Sequence, residues 1–270
     1  RTPPAAMADD GDGAVAAPGP GGLREAFAAG RAQAAAAAEG EAPEACEACV
    51  AFSTKHYPSG LNANFLRGEE SQVVQDHVRK FENPESREIA RAVPELVKLL
   101  RDYAGLTKSS AVADMGAGTG LFMAPLSEEA RSVLAVEISP HFQAYLRKQV
   151  KVQRLQNVTV VAGTPLDPGL ASHSVDLVLL CDVYHHIEYP QTVCERLLAA
   201  LRPGGRLVVI DFVRDEAVHK SHAPGWITEH VRAGQEVFRA EIESVGFKLV
   251  SEPGLPSLAE NYCMVFEPAQ

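Results

Sequence analysis

The sequence has little positive charge. Lys and Arg number 25 against 35 Asp and Glu, which gives a formal net charge of −10. Binding a nucleic-acid backbone requires a basic face, so the composition argues against a nucleic-acid partner. Long apolar runs are also missing, and none approaches the roughly 20 residues that cross a bilayer, so we expect no membrane span. Such an acidic chain is typical of a cytoplasmic enzyme, although the N-terminal extension leaves organellar targeting open.

Cysteine is scarce and does not form a disulfide pattern. Of the five cysteines, Cys181, Cys194 and Cys263 fall within segments typical of strand or helix, where buried free thiols are expected. Cys46 and Cys49 form a single C-x-x-C. A zinc site of this type needs a second pair of ligands, and the context is not that of a redox motif, so we predict no metal site.

The composition divides the chain into three parts. Residues 1–45 are rich in Ala, Gly and Pro and have no periodic apolar face, which predicts a disordered extension. Residues 46–83 are irregular, with a turn at Pro58, and are either a connecting loop or a lid over the active site. Residues 84–270 are expected to form the main domain. It opens with a helix that Asn83 caps and that carries an apolar stripe from Ile89 to Leu100.

Short apolar segments then alternate with helical segments along the domain. The segment from Ala111 is the first predicted strand, and the others are Ser132–Ile138, Val158–Ala162, Val175–Cys181, Leu207–Phe212, Phe247–Ser251 and Tyr262–Phe266. A turn at Arg202–Gly205 precedes the fifth strand. Strands that alternate with helices predict an α/β fold, a doubly wound and mostly parallel sheet covered by helices on both faces.

A glycine-rich stretch, AVADMGAGTG, ends the first strand. Gly116, Gly118 and Gly120 alternate there, and a helix follows whose first N–H groups face the loop. Leu121 stands where the dinucleotide fingerprint has its last glycine. Glu137 ends the second strand 23 residues after Asp114, close to the spacing at which an acid binds the ribose of a nucleotide.

Four motifs give the chain a resemblance to a known family. DMGAGTG, AVEIS, VDLVLLCDVYHHI and LLAALRPGGRLVVIDF, in this order, resemble the class I S-adenosylmethionine-dependent methyltransferases, and within them the small-molecule "type 11" group. The resemblance implies a seven-stranded Rossmann-like sheet with a C-terminal antiparallel hairpin, S-adenosyl-L-methionine as cofactor and a small-molecule acceptor. The positions that it assigns to cofactor binding are Asp114, Gly116, Ala117, Gly118, Gly120, Glu137, Thr164 and Asp182.

The third strand departs from the family pattern. Members usually have an acid there for the adenine amino group, whereas this chain has Gly163-Thr164-Pro165. Either the hydroxyl of Thr164 or the carboxylate of Asp167 is expected to take that role.

The acceptor side is less defined by the sequence. His185 and His186 follow the fourth strand, where a general base would stand if the acceptor must lose a proton. The alternative is that they support the loop or pack on the cofactor. Tyr184 could stack near the sulfonium. Trp226, His230 and Arg232 either wall the acceptor pocket, with His230 and Arg232 facing an anionic acceptor, or belong to a surface helix packed on the core.

Two other functions remain open at this point. One is an NAD-dependent oxidoreductase on a Rossmann-like fold, and the other is a non-catalytic interaction protein that keeps the methyltransferase fold. Binding of S-adenosylmethionine, of NAD or of neither distinguishes the three. The sequence predicts neither the acceptor atom nor the oligomeric state.

Overall fold

The computed structural model describes residues 47–68, 70–85, 87–219 and 222–269. The predicted disordered extension and Cys46 of the C-x-x-C lie outside the described residues. All seven predicted strands lie within them.

The seven strands form one sheet with the order β3-β2-β1-β4-β5-β7-β6. Their bounds are β1 Ala111–Met115, β2 Ser132–Glu137, β3 Val158–Ala162, β4 Val175–Cys181, β5 Leu201–Phe212, β6 Phe247–Ser251 and β7 Asn261–Pro268. Strands β1 to β5 pair in parallel, and β7 runs antiparallel to both of its neighbours. This confirms the doubly wound α/β fold and its C-terminal antiparallel hairpin.

Helices connect the strands and precede them. They are α1 Glu47–His56, α2 Ala63–Leu66, α3 Glu70–Phe81, α4 Glu88–Ala104, α5 Met123–Glu129, α6 Pro140–Val152, α7 Pro190–Ala200, α8 Trp226–His230 and α9 Gln235–Ser244, with a short 3-10 helix at Tyr184–His186. Within the described part of the chain, no helix combines the length and apolar character that crossing a membrane demands.

The core lies on both faces of the sheet. All five residues of β1 are buried, and because side chains alternate along a strand, neighbours enter different cores. Val112 packs with α4, α5 and α6 on one face. Ala113 packs with α7 and α9 on the other. The chain winds from β1 toward β3 on one side and through β4 on the other, so the β1–β4 boundary is the switch point at which such sheets bind ligands.

The beginning of the domain differs from the prediction. The helix expected from Pro84 begins at Glu88, and Asn83 instead accepts a hydrogen bond from the N–H of Glu85 (3.0 Å), a local turn before the helix. Pro94 lies inside α4 without dividing it. The expectation of an irregular segment up to residue 83 was wrong, because α1, α2 and α3 lie there.

The fifth strand is also longer than predicted. It begins at Leu201, and the expected turn at Arg202–Gly205 is an irregularity within the strand. Val175 pairs with Leu201 and Leu177 already pairs with Arg206, so residues 202–205 bulge out of the ladder. A bulge lets the strand include a sequence that has the composition of a turn.

Residues 47–68 pack across the carboxyl end of the sheet. The hydroxyl of Ser139, after β2, donates to the carbonyl of Phe65 (2.6 Å). The amide of Asn62 donates to the carbonyl of His186, after β4 (3.0 Å). The segment is therefore fixed over the ends of β2 and β4, the two strands on either side of β1.

Candidate active site

One cavity of about 840 Å³ lies at the carboxyl ends of β1, β2 and β4. Its lining includes the glycine loop after β1, residues that follow β2, β3 and β4, parts of the segment that precedes the sheet, and residues from the end of β5 to α8. Its size is that of a small-molecule site. The predicted residues Asp114, Glu137 and His185 all line it.

The glycine loop forms the floor of this cavity. Gly116 has a φ of +64°, and a Cβ at that position would lie 2.7 Å from a methyl group of Val183. Gly120 has a φ of +87°, and its Cβ would lie 2.5 Å from the Cε of Met123. Both positions thus require glycine for conformation and for space. Ala117 is fixed between them by its N–H bond to the carbonyl of Val136 (3.0 Å).

Glu137 is held by the backbone on both of its oxygens. Its Oε2 accepts from the N–H of Gly118 (2.9 Å) and its Oε1 from the N–H of Ser139 (2.8 Å). The residue is 6% exposed, and this burial raises the pKa of its carboxyl group. The carboxylate therefore ties the glycine loop to β2 and faces the cavity in one orientation.

Asp114 lies beneath the loop, near the end of β1. Its side chain is buried, and its Oδ2 has no hydrogen-bond partner among the described residues. Burial, together with the charge of Glu137, raises the pKa of Asp114 to about 7. A buried carboxylate of this kind is costly unless a cation or a hydrogen-bond donor meets it.

Among the described residues between β3 and β4, none places a carboxylate in the cavity lining. Thr164 lines the cavity, and its hydroxyl accepts from the N–H groups of Leu166 and Asp167 (3.3 and 2.9 Å). The carboxylate of Asp167 is absent from the cavity lining and instead accepts from the N–H of Gly169 (2.8 Å). Of the two residues expected at the adenine amino group, only Thr164 reaches the cavity.

Asp182 is enclosed by partners from distant parts of the chain. Arg87 donates to its Oδ2 (2.7 Å) and Asn261 to its Oδ1 (2.6 Å). Its backbone has a φ of +53°, and its side chain is 3% exposed. Asp182 therefore joins β4, β7 and the start of α4 at the edge of the cavity.

The two histidines after β4 differ in their surroundings. His185 is 1% exposed, and its Nδ1 lies 2.7 Å from Oδ1 of Asp211, at the end of β5. A carboxylate on Nδ1 fixes the N–H there, so Nε2 carries the lone pair and accepts from Nε2 of His230 at 3.2 Å. Asp211, His185 and His230 thus form a chain of hydrogen bonds that ends on the cavity wall.

His186 lies between Phe65 and the imidazole rings of His185 and His230. Its ring meets Phe65 edge-on, with centroids 5.3 Å apart, and its Nδ1 is buried without a partner among the described residues. Burial and the neighbouring His185 lower the pKa of His186 to about 2. The imidazole is neutral at neutral pH and accepts a proton poorly.

The structure contradicts two expectations about the acceptor side. Tyr184 does not stack near the cofactor site, because it is fully buried, packs on Phe238 and is absent from the cavity lining. Arg232 lies beyond the end of α8, and its guanidinium forms two 2.7 Å bonds with buried Glu241. Arg232 therefore cannot face an anionic acceptor.

Trp226 and His230 do line the cavity, and their rings stack with centroids 4.8 Å apart. Sequence reasoning missed Asp211, which ends the fifth strand in the motif VVIDF, and Arg87. An acid at a strand end was the available signal for Asp211, and nothing local in the sequence marks Arg87.

Part of this site lies in a stretch that is similar to known proteins. Residues 113–209 match the family model of a methyltransferase domain. An uncharacterized methyltransferase of Mycobacterium tuberculosis is 33% identical over 118 residues, which cover 44% of this chain and 44% of that protein. Phosphoethanolamine N-methyltransferase 1 of Triticum aestivum is 29% identical over 136 residues, covering 47% of this chain and 25% of that protein.

The fold has solved relatives as well. A crystal structure of a SAM-dependent methyltransferase from Aquifex aeolicus superimposes with a TM-score of 0.59 at 21% identity, over 74% of this chain and 97% of that one. This likeness concerns the fold. The chain spans less than half the length of the curated relatives named above.

Proposed function

We propose that this protein is a class I, S-adenosylmethionine-dependent methyltransferase that transfers a methyl group to a small-molecule acceptor, and the match of residues 113–209 to a methyltransferase domain supports this. The observation that carries the proposal is the single cavity that joins the glycine loop and the two acids to the Asp211–His185–His230 chain.

The residues present fit the cofactor. The unpartnered Oδ2 of Asp114 is suited to the ammonium group of the cofactor's methionine part. The fixed carboxylate of Glu137 can accept from ribose hydroxyls. The positive-φ glycines leave the backbone open for close approach. Gly118, Thr164 and Asp182 border the same space, whereas Gly120, which the sequence also predicted for cofactor binding, is absent from its lining.

S-adenosylmethionine is a sulfonium compound, and when bound it would supply an activated methyl group. The chain's own task is to orient the acceptor and to exclude water. Phe65, Phe81, Phe212 and Trp226 supply an aromatic wall for this purpose. Such a wall suits an acceptor with a planar or apolar body, and we propose a small molecule on this ground.

For an acceptor that must lose a proton, we propose His185 as the residue that receives it. The Asp211 carboxylate fixes the tautomer with a lone pair on Nε2, and His230 connects that atom to the cavity wall. The proton of the acceptor thus reaches Nε2 of His185 through His230, while Asp211 stabilises the resulting imidazolium. His186, whose pKa is about 2, is then a wall residue and not the base.

The test is incubation of the purified full chain with methyl-labelled cofactor and, separately, a metabolite extract and total RNA. A labelled small molecule supports the proposal, whereas label in RNA alone contradicts the acceptor class. Calorimetry measures cofactor binding in parallel, with NAD as the comparison ligand.

A variant of Glu137 tests whether the cofactor binds in this cavity. Glu137→Gln removes the charge that accepts the ribose hydroxyls, so we expect affinity for the cofactor to fall about ten- to a hundredfold. Glu128→Gln, on the exposed surface of α5, is the matched control and should bind normally. Equal affinity in both variants would remove Glu137 from the proposed site.

A further inference from the structure

A second group of ligating side chains lies at the rim of the cavity, between the segment after β5 and the start of β7. His219, His222 and Glu260 each offer an atom there, and these atoms lie within 4.8 Å of one another. Nδ1 of His219 and Nε2 of His222 are each 3.8 Å from Oε2 of Glu260. Two imidazoles and a carboxylate thus converge on one point.

The tautomer of His219 places a buried lone pair near the carboxylate of Glu260. Its Nε2 lies 2.6 Å from the carbonyl of Val213 and must donate to it, so in the neutral ring Nδ1 carries the lone pair. The side chain of His219 is 1% exposed, and Nδ1 has no hydrogen-bond partner among the described residues. A buried lone pair directed at a carboxylate is unfavourable unless a cation lies between them.

The bond to Val213 is also the type of contact that supports metal ligation. Metal-binding histidines usually donate their other ring N–H to a carbonyl or carboxylate, which fixes the orientation of the ring. His222 is held differently, by stacking on Trp226 with centroids 3.8 Å apart and planes at 10°. Its side chain is 30% exposed, so it can make the small shift that closes the set.

We propose that His219, His222 and Glu260 bind a divalent transition-metal ion such as Zn²⁺. Catalytic zinc sites keep three protein ligands of this kind, two His and one carboxylate, and leave a fourth position open. Bonds of about 2.0–2.1 Å in tetrahedral geometry place ligand atoms about 3.3 Å apart. The two 3.8 Å separations to Glu260 therefore need to shorten by about half an ångström, and the separation between the two histidine nitrogens, which is within 4.8 Å, must close to the same value.

The position of the site gives the ion an open face. His222, Trp226 and Glu260 all line the cavity, so a fourth ligand would come from the cavity side. Metal binding itself does not rest on the proposed methyl transfer and is measured without cofactor or acceptor.

The cluster of His185, His186 and His230 is a weaker candidate for a metal site. His185, His186 and His230 also lie close together, but His185 already uses Nδ1 for Asp211 and Nε2 for His230. Its lone pair is satisfied without a metal, whereas that of His219 is not.

The experiment uses the full chain without a polyhistidine tag, with Cys46→Ser and Cys49→Ser as background so that the C-x-x-C pair does not contribute. After treatment with a chelator, Zn²⁺ is titrated in a calorimeter. Co²⁺ is titrated separately while the emission of Trp226, the single tryptophan of the chain, is followed. We expect one equivalent of metal per chain and quenching by Co²⁺, because His222 is stacked on that indole.

Variants then locate the metal. His222→Ala and Glu260→Gln should each weaken binding at least about tenfold, since each removes a direct ligand. His141→Ala, on α6 and outside both clusters, should bind as the background does. Thermal melting checks that each variant is folded. If the His222→Ala variant does not fold, the Glu260→Gln variant alone tests whether the metal binds at this cluster.

Two results would overturn the proposal. One is the absence of saturable metal binding in the background protein. The other is loss of metal in His230→Ala with retention in His222→Ala and Glu260→Gln, which would assign the ion to the cluster around His185.

Discussion

The affinity for S-adenosylmethionine should depend on the ionisation of Asp114. The carboxyl is buried with an unpartnered oxygen, and its pKa is raised to about 7. The ammonium group of the cofactor pairs with the ionised form only, so binding competes with protonation. Affinity should therefore rise as the pH rises toward and through 7.

The magnitude follows from the ionised fraction. With a pKa of about 7, Asp114 is about three-quarters ionised at pH 7.5 and about 3% ionised at pH 5.5, so the apparent Kd should be about 25-fold higher at pH 5.5 than at pH 7.5. We set the upper pH of the comparison at 7.5 because the amino group of S-adenosylmethionine is still largely protonated there, since α-amino groups titrate near 7.7–8.0. Asp114→Asn should weaken binding at pH 7.5 and remove most of this pH dependence.

The stability of the protein without cofactor gives a second readout of opposite sign. An unfolded Asp114 has a pKa of 3.8 and the folded one about 7, so the folded state holds its proton longer. The contribution of Asp114 to the free energy of unfolding is therefore fully present below about pH 4 and is lost as the pH rises through 7. Asp114→Asn removes this loss, so at pH 8 the variant should unfold at a higher temperature than the wild type.

Calorimetric Kd values at half-unit pH steps, with thermal melting at each pH, test both statements. Asp102→Asn, on the surface of α4, is the control and should keep the wild-type profile. Burial also raises the pKa of Glu137, so the comparison between the wild type and Asp114→Asn is decisive and not the wild-type slope alone. Parallel pH profiles for these two proteins would refute the reasoning.

Two further predictions concern the floor and the far wall of the cavity. Gly116→Ala should weaken cofactor binding at least about tenfold, because its Cβ would lie 2.7 Å from Val183. Gly204→Ala, also at positive φ but with no atom within 4 Å, should bind normally, and a similar loss in both would exclude the steric cause. Asp211→Asn should lower kcat about 10²- to 10⁴-fold with cofactor Kd unchanged, because Asp211 sets the tautomer of His185. An unaltered kcat in single-turnover assays would rule out His185 as the base.

Most of the residues that the sequence predicts for cofactor binding line one cavity. The glycines, Asp114 and Glu137 lie within 27 consecutive residues, 111–137, that form one strand, one loop, one helix and the next strand. Local rules are sufficient here, because the carboxyl ends of adjacent parallel strands must meet at one edge of the sheet. Thr164 was found in the same way, although its hydroxyl is engaged in a turn.

The acceptor side was not readable to the same extent. Helical spacing made Arg232 one of two alternatives, a pocket residue or part of a surface helix, but α8 ends at His230, and Arg232 pairs with Glu241. Tyr184 was expected beside the sulfonium and is buried against Phe238. Spacing along the chain does not tell which side of a short element meets the core.

The sequence alone determined the order of strands and helices, the glycine loop and the acids at the strand ends, since these depend on side-chain periodicity and backbone conformation over a few residues. The tertiary structure alone brought Asp211 to His185, Arg87 to Asp182, and Glu260 to His219. These partners are separated by 26, 95 and 41 residues. No local rule links such positions, and only the packing of the sheet and its covering segments decides which charges and lone pairs face each other.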